Sequence, residues 1–481
     1  MSVWRKKPVA LYQAEANKSD LNRVLTRWGL TSLGIGAIIG GGIFTLTGIA
    51  AHNHAGPALA LAFVIAGIGC LFASLCYAEF ASVLPVEGSA YAYAYGTIGE
   101  LFAWFIGWNL ILEYMMGATT VAVAWSGYFN KLLHLFHINL PEYLVNDPAT
   151  FNHGASFADW NFAFNLPALL ITWVITAILI KGIKEAASTN NIIVILKVAV
   201  VLFVIIVGSF YVDTNNWEPF IPAEKMGEDG KIHFGVGGVL TAATIVFFAY
   251  IGFDAVSTQA GEAINPKKDV PFAIIASLVI CTILYILVSL VLTGMVKYDQ
   301  LDLKAPVASA FSGAGINWAT YLITIAATAG LMSVMLVMML GQTRIFLGMA
   351  KDGLLPKGMF GTLHPKFKTP YKSTILVGFI VSLVAALTPI EKVSEMCSMG
   401  TLLAFAMVCV AVLVLRVKEP DLDRPYRTPA VYFVAPAGFL FNIFLMTNVQ
   451  QNTWYAFLIW GTLGVLVYFL YSRRHSNLNN L

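Results

Sequence analysis

Ionisable side chains inside long apolar runs are the residues of this chain best placed to do chemistry, and three stand out. Lys197 is alone in Ile192-Ile-Val-Ile-Leu-Lys197-Val-Ala-Val-Val-Leu202. A charge at membrane depth is costly enough to mark a functional candidate. A lysine that can release its proton is a candidate coupling residue, and one that stays charged can bridge backbone carbonyls as a fixed cation. Glu113 lies in Trp108-Asn109-Leu-Ile-Leu-Glu113-Tyr114, where Asn109 and Glu113 stand four apart and share a helix face. That face should look into a helix bundle. Asp254 follows Gly252 by two residues in Phe248-Ala249-Tyr250-Ile251-Gly252-Phe253-Asp254. It can cap the helix that follows by accepting from backbone N–H groups, or it can give a pocket a negative end.

The element that must position such groups is Gly34-Ile-Gly36-Ala-Ile38-Ile39-Gly40-Gly41-Gly42-Ile43-Phe44, an apolar stretch with three consecutive glycines. Each glycine weakens a helix interior by about 1 kcal/mol relative to alanine, so the helix should break at Gly40–Gly42. Unwound backbone at membrane depth survives only where it is buried in protein or lines a polar cavity. The lower half-helix should end near Ile39 with exposed carbonyls, and the upper one begin near Gly42 or Ile43 with exposed N–H groups. Opposite partial charges then face each other across a few residues, an arrangement suited to a zwitterion. Two plainer readings compete. A dinucleotide fingerprint would require glycine at position 39, where the chain has Ile39. Gly36 and Gly40 form a small-xxx-small pair that can simply seat another helix.

The chain has 481 residues, of which 58% are hydrophobic and only 11% charged. With a mean hydropathy of +0.74, this composition excludes an average soluble domain and indicates a polytopic membrane protein. The leader before Trp28 is polar, which predicts that the first helix directs insertion without a cleaved signal. All five cysteines, Cys70, Cys76, Cys281, Cys397 and Cys409, fall in apolar segments without metal-ligand spacing. No metal site or cofactor is expected. The net charge of +3 comes from scattered basic residues, which argues against a nucleic-acid partner.

A bilayer crossing takes about 20 apolar residues. That rule predicts twelve spans, near 29–50, 56–84, 101–133, 166–182, 187–209, 236–263, 270–296, 318–350, 371–388, 393–417, 431–448 and 451–471. With both termini inside, 22 Lys and Arg fall on the inner side, 6 on the outer side or outer ends, and Lys197 within a span. The positive-inside rule supports cytoplasmic termini. The stretch 86–100, rich in Ala and Tyr, is expected to be a short amphipathic element at the inner surface. Transporters built from inverted repeats place broken helices at corresponding positions in their two halves. Breaks in spans one and six fit a first repeat over 29–209 and a second over 236–417. Spans eleven and twelve (431–471) are then appended, between an N-terminal segment 1–28 and a tail 472–481.

Taken together, Gly36-Ala-Ile-Ile-Gly40-Gly41-Gly42-Ile43-Phe44, Phe248-Ala-Tyr-Ile-Gly252-Phe253-Asp254, Lys197, and Gly341-Gln342-Thr343-Arg344 followed by Ala350-Lys351-Asp352-Gly353 resemble the amino acid–polyamine–organocation superfamily. The chain is most similar to the bacterial members of its cationic amino acid transporter branch, over roughly residues 25 to 475. The resemblance implies an all-α fold of five-plus-five inverted repeats with discontinuous helices one and six, working by alternating access. It implies that a substrate carboxylate meets the amides of Gly41, Gly42 and Ile43, beside Gly40. The ammonium would meet carbonyls of Ile38, Phe248, Ala249 and Ile251, next to Gly252. Phe248 would gate the site. Lys197 would occupy the place of the sodium ion in sodium-driven relatives, between helices one and eight, with Ser333 facing it. Three departures stand out: Gly41 where Ser or Thr is common, Asn109 where an acid is usual, and Gly261 before Glu262 where a second acid is usual.

The expectation is a secondary transporter importing L-amino acids, cationic and small neutral, by proton symport, with Asn109, Glu113 and Asp254 lining the substrate pocket. An amino acid or amine exchanger is the alternative, and a membrane sensor or channel a remote one. The spans hold no nucleophile–base pair of the kind an enzyme needs. The expected partners are the amino acid, protons and the lipid bilayer, with the question of a small membrane partner left open.

Overall fold

The computed structural model describes residues 5–7, 25–83, 89–152, 161–182, 186–226, 232–257 and 263–480. Its principal helices are α1 (Arg27–Ile38), α2 (Leu59–Val83), α3 (Ser89–Thr97), α4 (Glu100–Leu135), α5 (Leu166–Lys181), α6 (Ala186–Ser209), α7 (Gly235–Phe247), α8 (Pro266–Met295), α9 (Asn317–Lys351), α10 (Tyr371–Leu387), α11 (Ile390–Lys418), α12 (Val431–Thr447) and α13 (Gln451–Val467). The described extended structure is slight: an antiparallel pair, β1 (Lys225–Met226) with β2 (Ile232–His233), and one bridge from Leu25 to Ala263. Among the described residues, seven helical stretches are long and apolar enough to cross a membrane, with four shorter apolar helices beside them. One of the seven, Gly42–Val83, runs through the upper half of the first predicted span and the described part of the second. The chain is an integral membrane protein.

Helix boundaries follow local chemistry. Asn165 starts α5 by accepting from the Ala168 N–H, and it also takes the Ser126 hydroxyl of α4 at 2.6 Å. Proline at the start of α8 removes an amide that has no partner within a helix. The most extensive packing joins α4 to α9 and α2 to α8. At the other extreme, α13 leaves Leu458, Ile459, Leu463 and Leu466 exposed, as expected of a lipid-facing surface on a protein with this composition.

The expected inner ends of the helices are tied by buried ion pairs. Glu79 of α2 is fully buried and receives Arg416 Nε at 2.7 Å and Nη2 at 2.8 Å, together with the Thr428 N–H at 2.8 Å. Arg424 approaches the same carboxylate at 3.3 Å. Glu100 pairs with Arg5, and Asp352 with Lys7. Stretch 86–100 differs from expectation. Its described part forms α3, in which Ala90 to Tyr95 are all buried rather than split between a wet and a dry face. The physical reason is that both faces find partners: Tyr93 stacks on Phe80, and Tyr91 donates to Asp352 at 2.8 Å.

Candidate functional site

The first break lies where the glycine run places it. Helix α1 ends at Ile38, Ile39 is extended at φ −71° and ψ 102°, and a wide helical turn over Gly42–Leu46 restarts the chain. Two of the glycines serve packing: a Cβ on Gly36 would strike Val194 of α6, and one on Gly40 would press on Val334 of α9. Gly42 is a point of close approach, since a Cβ there would collide with the backbone of Ala249. At Gly41 a Cβ would make only ordinary contacts, with Ala124, Leu331 and the Phe248 ring. The Phe44 amide is taken by Gly40 O at 3.3 Å, which leaves Gly41 to Ile43 at the head of the upper half-helix.

The second break is built differently. Helix α7 passes into a tight turn over Phe248–Tyr250, Ile251 is extended, and Gly252 adopts φ +120°. That backbone region favours glycine. A Cβ on Gly252 would also strike the carbonyl of Ala37 in α1. The two breaks therefore touch at two places, Gly42 on Ala249 and Gly252 on Ala37.

Lys197 reaches into the first break from α6. Its Nζ donates to Gly36 O at 2.5 Å and Ile39 O at 3.1 Å. Its methylenes lie where a side chain on Gly330 of α9 would sit, and Cys281 of α8 is near enough to interact electrostatically. The ammonium thus sits between α1 and α9. Ser333 stands three residues from Gly330 on the same helix and is buried.

Glu113 and Asp254 form a second polar focus. Both are buried and interact electrostatically; Tyr114 lies against Asp254 and Thr401 against Glu113. Glu113 Oε2 and Asp254 Oδ2 have no hydrogen-bond partner among the described residues. Among the described residues no ion pair joins either acid to a cation, an arrangement that favours a positively charged or proton-donating guest. The Asn109 side chain donates to Phe105 O of its own helix at 2.8 Å, and its backbone lies against Gly400. Gly261 and Glu262 fall outside the described residues. In the Gly341-Gln342-Thr343-Arg344 stretch, Gly341 makes room for the Tyr114 ring and Gln342 donates to Ile111 O at 3.3 Å.

Sequence reasoning missed two groups. Tyr285 of α8 places its hydroxyl 2.9 Å from Ile38 O and 3.0 Å from Ala249 O, one carbonyl from each break. Nothing in its apolar neighbourhood sets it apart from an interfacial tyrosine. Glu79, by contrast, is an acid inside an apolar run and carried the same signal as Glu113.

Two discontinuous helices that abut through glycines, with a lysine holding one of them, define a transporter of the broken-helix kind. The comparisons make this specific: residues 25–468 match the amino acid permease family, and the chain belongs to it. It is 47% identical over 480 residues to Branched-chain amino acid permease BcaP of Bacillus subtilis (strain 168), covering 99% of each chain. It is 43% identical to the Methylthioribose transporter of the same organism, again over 99% of each. Cationic amino acid transporter 4, vacuolar, of Arabidopsis thaliana is 38% identical over 405 residues, 84% of this chain and 64% of the relative. The resemblance seen in the glycine breaks and Lys197 is thus to the right family, with cationic amino acid transporters among the relatives.

Proposed function

We propose that this permease imports L-amino acids with protons by alternating access. The carrying observation is the Lys197 ammonium on Gly36 O and Ile39 O: a titratable cation holds the carbonyl end of the break that would bind substrate. The amides of Gly41, Gly42 and Ile43 take the carboxylate. Carbonyls of Ile38, Phe248, Ala249 and Ile251 take the ammonium, and Phe248, whose ring lies over Gly41, closes over both. When Lys197 loses its proton it loses its charge and one of its three N–H donors, which weakens its hold on Gly36 O and Ile39 O, so protonation and the position of the half-helix are linked. Ser333 acts beside it. Glu113 and Asp254 supply the negative end that admits cationic side chains. The backbone groups recognise only what all amino acids share, so neutral substrates enter as well, and the branched-chain relative supports including those with branched side chains.

The architecture we propose is twelve crossings with both termini cytoplasmic, two inverted repeats over 29–209 and 236–417, and an appended pair over 431–471. A relative 43% identical is named for methylthioribose, so that compound belongs in any substrate panel.

The test is accumulation in proteoliposomes under an inward proton gradient. The wild type should concentrate a labelled L-amino acid without sodium, and Lys197→Ala should retain binding while losing pH-driven accumulation. Accumulation by Lys197→Ala on a proton gradient, or a sodium requirement in the wild type, defeats the coupling role. Exchange that proceeds only against internal amino acid, with no net proton-driven uptake, identifies an antiporter instead.

A further inference from the structure

The groups along one face of α8 follow the first break from bottom to top. Ser277, Cys281 and Tyr285 are spaced four apart and so lie on one side of the helix. Ser277 abuts Gly34, Cys281 lies near Lys197, and Tyr285 ends at the carbonyls of Ile38 and Ala249. Its ring is fully buried, packed on Phe63 and Tyr250 at centroid distances of 5.4 and 5.6 Å. The hydroxyl is therefore held at a fixed point rather than sampling one.

A phenol has one proton to donate, and here two acceptors compete for it at 2.9 and 3.0 Å. Whichever carbonyl receives it, the other remains an acceptor, and the phenolic oxygen keeps lone pairs of its own. We propose that Tyr285 is the amine-selecting residue of the substrate site: it holds Ile38 O and Ala249 O on either side of one point and offers its own oxygen to the substrate's primary ammonium. One ammonium N–H goes to the carbonyl left open and a second to Tyr285 Oη, while the phenolic proton stays on the other carbonyl. A neutral hydroxyl suits this role, because a second fixed cation there would repel the ammonium. This assignment rests on the amino acid reading above and adds to it a selection for primary over N,N-dimethylated amines, since a dimethylammonium keeps a single N–H and cannot serve both acceptors.

The experiment is competition for uptake of a labelled L-amino acid by L-leucine, L-alanine and their N,N-dimethyl forms, on wild type, Tyr285→Phe and Tyr250→Phe. The wild type is expected to prefer the primary amines by about tenfold or more, the usual scale of a hydrogen bond to a charged group. Tyr285→Phe should raise KM at least tenfold with the maximal rate per folded transporter kept within about twofold, and should shrink the preference to below about threefold. Tyr250→Phe should keep the preference, because that hydroxyl donates to Phe63 O at 2.7 Å instead. Folded transporter is counted by size-exclusion chromatography. If Tyr285→Phe does not fold, the wild type still decides: equal competition by primary and N,N-dimethyl amines overturns the assignment. An unchanged preference in a folded Tyr285→Phe does so too. If no L-amino acid competes at all, it is the substrate reading that fails, and this assignment with it.

Discussion

The two breaks have the same position in their helices and opposite construction. At the first, side chains are absent: Gly40, Gly41 and Gly42 follow one another, and order comes from outside through the Lys197 ammonium. At the second, the chain carries its own ordering residues: a tight turn, Gly252 at φ +120° and Asp254 just beyond it. The first break is a backbone surface that cannot distinguish one amino acid side chain from another. The second brings an acid and an aromatic ring. Selectivity for side chains should therefore depend on the second break and its neighbour Glu113, and proton coupling on the first.

The sharpest way to break this comparison is to load the contacts that join the breaks. Gly252→Val must leave its backbone conformation and also strike Ala37, and Gly42→Leu must push away Ala249. Both should abolish uptake, and neither should prevent insertion, because leucine and valine are favourable in a membrane. Normal binding by either variant, measured by substrate-dependent thermal shift in detergent, would show that the breaks need not touch.

A middle-sized effect is expected at Glu113. Glu113→Gln should weaken arginine or lysine far more than alanine, since removing one partner of a buried charge pair costs roughly 3–5 kcal/mol. Equal losses across a competition panel would move Glu113 from selectivity to coupling or structure. The smallest effect is expected at Gly41, where a Cβ meets only ordinary contacts. Gly41→Ser should leave transport rates within about threefold and lower KM if the hydroxyl reaches the carboxylate. Its loss of function would mean that the first break tolerates no side chain at all.

Much of the geometry of the candidate site was legible because breaking a helix in lipid needs conspicuous residues. Three adjacent glycines, a lone lysine and a glycine followed by an acid have few other reasons to occur in apolar runs, so Gly40–Gly42, Lys197 and Asp254 declared themselves. Asn109 shows the limit of that logic. The four-residue spacing puts it on one helix face with Glu113, yet its amide donates to Phe105 O of its own helix, a solution open to any helical asparagine. Stretch 86–100 shows a second limit, since alternating Ala and Tyr reads as an interfacial pattern until Phe80 and Asp352 cover its far side.

By itself the sequence determined the membrane class and the two places where helices fail, because hydropathy, glycine content and isolated charge act locally and with large energies. Tertiary structure alone decided which glycines serve close approach and which serve packing, which acid lies beside which, and that a tyrosine from α8 closes the gap between two carbonyls distant in sequence. Those are properties of pairs of residues brought together by folding. Ile38 O and Ala249 O meet at one tyrosine hydroxyl only when α1, α7 and α8 pack together, and no spacing along the chain records that meeting.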